Sequence, residues 1–282
     1  MIKNTNKAII FDIQRGSFVD GPGMRTVIFF KGCNLNCKWC HNPEGICKNK
    51  QMLFYADKCT KCGACEKACK FNLKQCVLCG ECEKVCPNEA RKISGREYSI
   101  QELEQIVLKD EIFYSTTGGG VTLSGGECML NADFIKQFLV FLKSKGIHIA
   151  IDTAGNVAFS EFDKVIDYVD LFLYDVKLIS SNLHKEYTGV DNKLIKENLK
   201  KLVGLNKQII IRVPIIPTVN DNVEEMKKIS NFLSDIGFDG KVELLPYHTM
   251  GEEKSKALGK EFYKFETPSN DTLALLNKQF QK

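Results

Sequence analysis

The chain has 282 residues, 44% of them hydrophobic and 26% charged, with a formal net charge of +4. That balance suits a globular protein of one large domain, with or without a small insert, and gives no case for nucleic acid as a partner. No run of eighteen apolar residues occurs, and MIKNTNKAII lacks the apolar core and cleavage site of a signal peptide. No membrane association is therefore expected, and a cytoplasmic protein is.

In chain order, the first predicted strand is Thr26–Phe30. A cysteine-rich stretch over residues 48–95 follows and reads as an insert, because its texture differs from the rest. Beyond it, Ser99–Leu108 opens a helix with a Ser-x-x-Glu capping box, Ser99 and Glu102. Strand Val121–Ser124 comes next, then helix Asn131–Lys145 with Phe134, Phe138, Phe141 and Leu142 on one stripe. Strand Ile147–Asp152, helix Ser160–Tyr168, strand Leu171–Asp175 and helix Asn192–Leu205 continue the alternation. Strand Ile209–Val213, helix Val223–Ile236 with Gly237 as its cap, and strand Lys241–Leu245 complete it. Such alternation predicts an α/β fold with a parallel sheet and outer helices. Six units make an incomplete (β/α)6 barrel, built from residues 1–47 and 96–282. In parallel barrels the chemistry sits at the C-terminal strand ends.

Thirteen cysteines are the anomaly, and in a cytosolic chain they read as metal ligands. Cys33, Cys37 and Cys40 form a Cys-x3-Cys-x2-Cys loop. Three thiolates there can hold three irons of a [4Fe–4S] cube and leave the fourth iron open. A Cys₃His zinc site is the alternative, but His41, adjacent to Cys40, is poorly placed to close the same tetrahedron. Cys59, Cys62, Cys65 and Cys69 repeat the bacterial ferredoxin spacing, and so do Cys76, Cys79, Cys82 and Cys86-Pro87. In that pattern the fourth cysteine serves the other cluster. One cube then takes Cys59, Cys62, Cys65 and Cys86, and the other Cys76, Cys79, Cys82 and Cys69. Two zinc ribbons do not have this three-plus-one repeat. Ten Lys and Arg residues between Lys48 and Lys92 balance the anionic clusters, form a docking face or make up a solvated surface. Cys47 and Cys128 remain without a role.

The Cys-x3-Cys-x2-Cys loop, with Trp39 before its last cysteine, resembles the signature of the radical S-adenosylmethionine superfamily. Its flanks, Asp20-Gly-Pro-Gly-Met-Arg-Thr26 and His41-Asn-Pro-Glu44, resemble the glycyl-radical-enzyme activating enzymes. The resemblance covers the whole chain. It implies that the open iron chelates the methionine moiety of S-adenosylmethionine. It also implies cofactor contacts at Trp39, Cys40 and His41, at Gly125-Gly126-Glu127, at Asp175-Val176-Lys177, at Arg212 and at His248. Asp152, Thr153 and Asp175 are implied as a monovalent cation site.

The expected mechanism runs as follows. An electron from a donor such as a flavodoxin or ferredoxin enters through the insert and reaches the cube on Cys33, Cys37 and Cys40. Cleavage of the sulfonium then gives methionine and a 5′-deoxyadenosyl radical, which takes a glycine Cα hydrogen from a partner glycyl radical enzyme. The competing readings are a radical enzyme acting directly on a small molecule or peptide, and an iron–sulfur electron-transfer protein with no catalysis of its own.

Overall fold

The computed structural model describes residues 7–71, 73 and 75–281. Lys74, one of the ten basic residues noted in the cysteine-rich stretch, lies outside them. The chain opens with β1 (Lys7–Ser17) and β2 (Arg25–Phe30). The cysteine-rich stretch contributes β3 (Gln51–Phe54), α1 (Ala64–Ala68), α2 (Glu81–Lys84) and β4 (Arg91–Ser94). Then come β5 (Arg96–Ser99), α3 (Ile100–Val107), α4 (Glu111–Thr117), β6 (Gly120–Gly125), α5 (Ala132–Ser144), β7 (His148–Thr153) and α6 (Phe159–Asp163). The remainder is β8 (Leu171–Asp175), α7 (Ser181–Thr188), α8 (Lys193–Gly204), β9 (Ile209–Ile215), α9 (Val223–Asp235), β10 (Val242–Pro246), α10 (Met250–Ala257) and α11 (Asn270–Asn277).

Among the described residues, one eight-stranded sheet runs in the order β10-β9-β8-β7-β6-β2-β1-β5. From β2 to β10 every pairing is parallel, and these are the six strands expected from the sequence, in consecutive order. β1 and β5 extend the sheet antiparallel beyond β2. Neither was expected. The predicted capping box is present, with Ser99 accepting from Glu102 N and Glu102 accepting from Ser99 N. Helix Ser160–Tyr168 proves shorter: after Asp163 the backbone bonds from Val165 and Tyr168 reach back only three residues. No described helix is long and apolar enough to cross a membrane.

Alternation along each strand separates the two faces of the sheet. Val121, Leu123, Ile149, Ile151, Phe172, Tyr174, Ile211 and Val213 point to the helix side and are at most marginally exposed. They pack with Phe134, Phe138 and Leu142 of α5, Leu199 of α8 and Met226 and Ile229 of α9. Fully burying each such side chain is worth roughly 1.5–3 kcal/mol, and this layer holds the sheet rigid. The opposite row carries Ser124, Asp152 and Asp175 toward the C-terminal strand ends, with Arg212, midway along β9, beside Asp175.

β3 and β4 pair with each other, apart from the main sheet. Lys31, just past β2, ties the two parts together. Its buried ammonium donates to Glu44 O (2.5 Å), Gln51 Oε1 (3.3 Å) and Ser94 Oγ (3.4 Å). Burial lowers its pKa to about 8.

Candidate active site

The strand ends form an alternating set of charges. The sheet register sets Asp175 beside Arg212, and Arg212 beside Glu243. Arg212 Nη1 lies 3.7 Å from Asp20 Oδ1 and 3.8 Å from Asp152 Oδ2, and its Nε lies 3.7 Å from Glu243 Oε2. Arg212 Nη2 donates to Val19 O at 2.6 Å. Burial works against the guanidinium charge, but the surrounding carboxylates outweigh it and raise its pKa. Burial likewise raises the Asp152 carboxyl, against the pull of Arg212. Ser124 Oγ donates to Asp152 Oδ2 at 2.7 Å. Lys177, two residues past the end of β8's inward row, bonds Asp175. Burial disfavours its charge, yet Asp175 and Cys37 raise its pKa.

The cysteine loop leaves β2 and is fixed by backbone bonds from Gly32 N to Gly45 O (2.7 Å) and Cys33 N to Ile46 O (2.9 Å). Glu127 N donates to Gly32 O at 2.7 Å, and Gly126 N to Phe30 O at 2.9 Å. That approach demands glycine. A Cβ on Gly126 would sit 2.3 Å from Gly32 O, and one on Gly125 2.3 Å from Phe30 O. On the far side, Asn36 N and Lys38 N bond Thr188 O and Tyr187 O. Trp39 packs with Leu178, Ile216 and Tyr247. Burial pushes the Cys33 and Cys37 thiols up to about 12 and Cys40 to about 11. They are neutral without a metal, so a metal must displace their protons as it binds. His41 stands edge-to-face with His248, ring centroids 4.1 Å apart. Burial, with His248 and Lys254 nearby, lowers the His41 pKa to about 4.

These parts share one cavity of about 680 Å³. Cys33, Cys37, Trp39, Cys40, His41, Gly125, Gly126, Asp152, Thr153, Asp175, Lys177, Arg212 and His248 all line it. Two residues expected as cofactor contacts do not. Val176 alternates to the opposite face and packs in the helix-side core. The Glu127 carboxylate is fully buried and accepts from Thr153 Oγ1 (2.7 Å), Ala154 N (3.0 Å) and Met129 N (3.1 Å). It braces the turn instead of facing the cavity. Thr153 spends its hydroxyl on Glu127, and Asp175 is paired with Lys177. Among the described residues no three His, Cys, Asp or Glu side chains are gathered to hold a single metal ion as they stand.

Sequence reasoning missed Phe11, Asp12 and Gln14 of β1, Tyr247, and Lys254 of α10, all of which line the cavity. The run Ala8–Ile13 was the available signal for β1. Lys254 bonds Asn42 Oδ1 and pairs with Glu44, both at 2.8 Å, which seats α10 on the His-Asn-Pro-Glu turn. Arg25 of the Asp20–Thr26 segment is fully buried and donates to Thr122 Oγ1 and Val121 O, both at 2.6 Å. It props the loop whose Phe18 and Val19 are 67% and 77% exposed at the sheet's open face. Cys128 is buried in the core, its thiol 3.4 Å from Leu123 O, and does not reach the cavity.

Residues 27–233 match the Radical SAM superfamily model. The chain belongs to the radical SAM superfamily. It is 43% identical to the trans-4-hydroxy-L-proline dehydratase activating enzyme of Clostridioides difficile, with 97% of this chain and 96% of that one covered. It is 42% identical to the choline trimethylamine-lyase activating enzyme of Oleidesulfovibrio alaskensis, over 91% and 88% of the two chains. A radical SAM methyltransferase structure from Sphaerobacter thermophilus covers 96% of this chain and 74% of its own, at a TM-score of 0.56 and 13% identity. That likeness speaks to fold alone.

Within this radical SAM chain, the cysteine-rich stretch repeats its backbone as well as its cysteines. Lys61 and Leu78 occupy equivalent places and both have positive φ, 57° and 55°. Gly63 and Gly80, also equivalent, cap α1 and α2 at φ 74° and 86°. Leu73 N donates to Cys69 Sγ at 3.3 Å, and Ala90 N to Cys86 Sγ at 3.2 Å. Cys59, Cys62, Cys65 and Cys86 line one cavity of about 330 Å³.

Proposed function

We propose that this protein activates a partner glycyl radical enzyme by reductive cleavage of S-adenosylmethionine. The observation that carries the proposal is the meeting of Cys33, Cys37 and Cys40 with the Asp152–Arg212 and Asp175–Lys177 pairs in one cavity. Its volume of about 680 Å³ suits a nucleoside joined to an amino acid. Three buried thiols supply a soft donor set with one position left open. Cys33, Cys37 and Cys40 would hold a [4Fe–4S] cluster, which together with bound S-adenosylmethionine would supply the electron and the 5′-deoxyadenosyl radical that takes a glycine Cα hydrogen.

The chain's own residues bind, orient and exclude water. Gly125 and Gly126 bring bare backbone to the cavity, where an amino group finds carbonyl acceptors, and Glu127 holds that turn from below. Lys177 and Arg212 offer cations to a carboxylate while remaining tied to Asp175 and Asp152. Trp39, Leu35, Ile216 and Tyr247 give the cavity apolar walls that exclude water from a reactive radical. Val19, beside the exposed Phe18, gives its rim an apolar edge for a polypeptide loop. A monovalent cation beside Asp152, Thr153 and Asp175 belongs to the same proposal, and would require Asp175 to exchange Lys177 for the ion.

The six parallel strands are read as an incomplete (β/α)6 barrel over residues 1–47 and 96–282. Residues 48–95 are read as a ferredoxin-like insert with two further clusters. What supports the insert is the repeated αL geometry, and the grouping of Cys59, Cys62 and Cys65 with Cys86 instead of Cys69. An electron donor such as a flavodoxin or ferredoxin, and a cytoplasmic setting, complete the proposal.

The test mixes the reduced protein, S-adenosylmethionine and a candidate glycyl radical enzyme. A doublet electron paramagnetic resonance signal is expected, and it should vanish when the partner's target glycine becomes alanine. Stoichiometric consumption of a small molecule with no protein radical would overturn the proposal.

A further inference from the structure

One basic side chain stands out from the solvated lysines of the cysteine-rich stretch. Arg91 opens β4 and lines the cavity bounded by Cys59, Cys62, Cys65 and Cys86. Its guanidinium carbon lies 4.6 Å from the centroid of the Phe54 ring, and Phe54 is its cross-strand partner. Its Nε is buried and has no hydrogen-bond partner among the described residues. A buried N–H without an acceptor costs about 1–3 kcal/mol and calls for a ligand or a function.

The acceptor missing from the protein is one that an anionic group in the neighbouring cavity would provide. We propose that Arg91 is the residue that sets the reduction potential of the insert's cluster on Cys59, Cys62, Cys65 and Cys86; this rests on the reading of the insert given above. Reduction adds one electron and makes the cluster more anionic. A fixed cation beside it stabilises the reduced form more than the oxidised form and raises the potential.

Arginine suits the place better than lysine. Its guanidinium lies over the Phe54 ring, is weakly hydrated and stays charged when desolvated. The backbone supports the same polarity. The Ala90 N–H turns toward Cys86 and donates to its Sγ at 3.2 Å. β4, which Arg91 opens, also packs against α2, the helix that carries Cys82 of the other set. The charge on Arg91 therefore favours an electron resting on the cluster whose cavity it lines.

The test is a redox titration of the reconstituted full-length protein, followed by electron paramagnetic resonance, for wild type, Arg91→Gln and Arg91→Lys. The signal that changes on adding S-adenosylmethionine is assigned to the cluster on Cys33, Cys37 and Cys40 and set aside. For one insert signal, Arg91→Gln should lower the reduced-to-oxidised ratio at a fixed potential about tenfold, about 59 mV for one electron. Arg91→Lys should recover most of that shift. If Arg91→Gln sheds insert iron, recovery of that iron by Arg91→Lys supports the same role for the charge. Unchanged potentials in both variants, or equal loss in both, would overturn the inference while leaving the insert reading intact. A wild-type insert that takes up no iron would overturn both.

Discussion

Glu127 shows how a side chain can serve a site without facing it. Its three partners all donate to it, which favours the carboxylate, while full burial pushes its pKa up to about 7. The folded value lies above the unfolded one of roughly 4.3. Its protonated form therefore contributes stability that is fully present below about pH 4 and is lost as pH rises through about 7. Wild type should lose stability relative to Glu127→Gln across that window, by about 4 kcal/mol, and the difference should be flat above it. Urea unfolding midpoints of the metal-free protein at several pH values check this, and a constant difference would contradict it. Lys177 is the converse case, a buried cation on the cavity wall. Lys177→Met leaves Asp175 without its ammonium and removes a cation from the ligand's side. S-adenosylmethionine affinity should fall tenfold or more, read by equilibrium dialysis with iron content unchanged.

At the scale of elements, the site depends on how closely β6 approaches the cysteine loop. Gly126→Ala places a methyl 2.3 Å from Gly32 O and 2.6 Å from Gly45 O, both backbone atoms that cannot swing away. The loop must shift, and iron bound by Cys33, Cys37 and Cys40 should fall by about four per chain in reconstitution. Gly146→Ala is the control. It has positive φ but open space, so it should cost about 1 kcal/mol of stability and no iron. The sequence made much of this level legible. β6 to β9 were visible because their apolar runs are buried on the helix side and interrupted by Gly, Asn or Pro. The cavity residues at their ends followed from strand position together with the family resemblance. β1 was not seen, because it pairs antiparallel at the far side of β2 and lies outside the strand–helix alternation. α10 carries Gly and four charged residues in eight positions and has little apolar periodicity to detect. Its Lys254 finds Glu44 across 210 positions of sequence, which no local pattern discloses. Val176 was named with its motif, and its side chain lies on the helix side, as period two puts it opposite Asp175 and Lys177.

For the whole molecule, the cysteine-rich stretch leaves and re-enters at adjacent points, since Gln51 and Ser94 are partners across β3 and β4. Removing residues 52–93 and closing the gap with a short turn therefore keeps the anchors of Lys31 in place. Bound iron should drop from about twelve to about four per chain, as three four-iron clusters become one. Cleavage of S-adenosylmethionine with dithionite should persist, because the cavity draws no wall from the removed residues. Loss of all cleavage in a folded deletion variant that retains about four irons would mean that the insert takes part in the chemistry itself.

The central claim is that a radical made in this cavity takes hydrogen from a glycine of a partner protein. The most direct measurement feeds the protein a partner labelled with deuterium at glycine Cα and weighs the 5′-deoxyadenosine produced. The account predicts 5′-deoxyadenosine carrying one deuterium, formed in step with the partner's radical signal and absent in Cys37→Ala. Abundant 5′-deoxyadenosine free of label, in the presence of a competent partner, would contradict it.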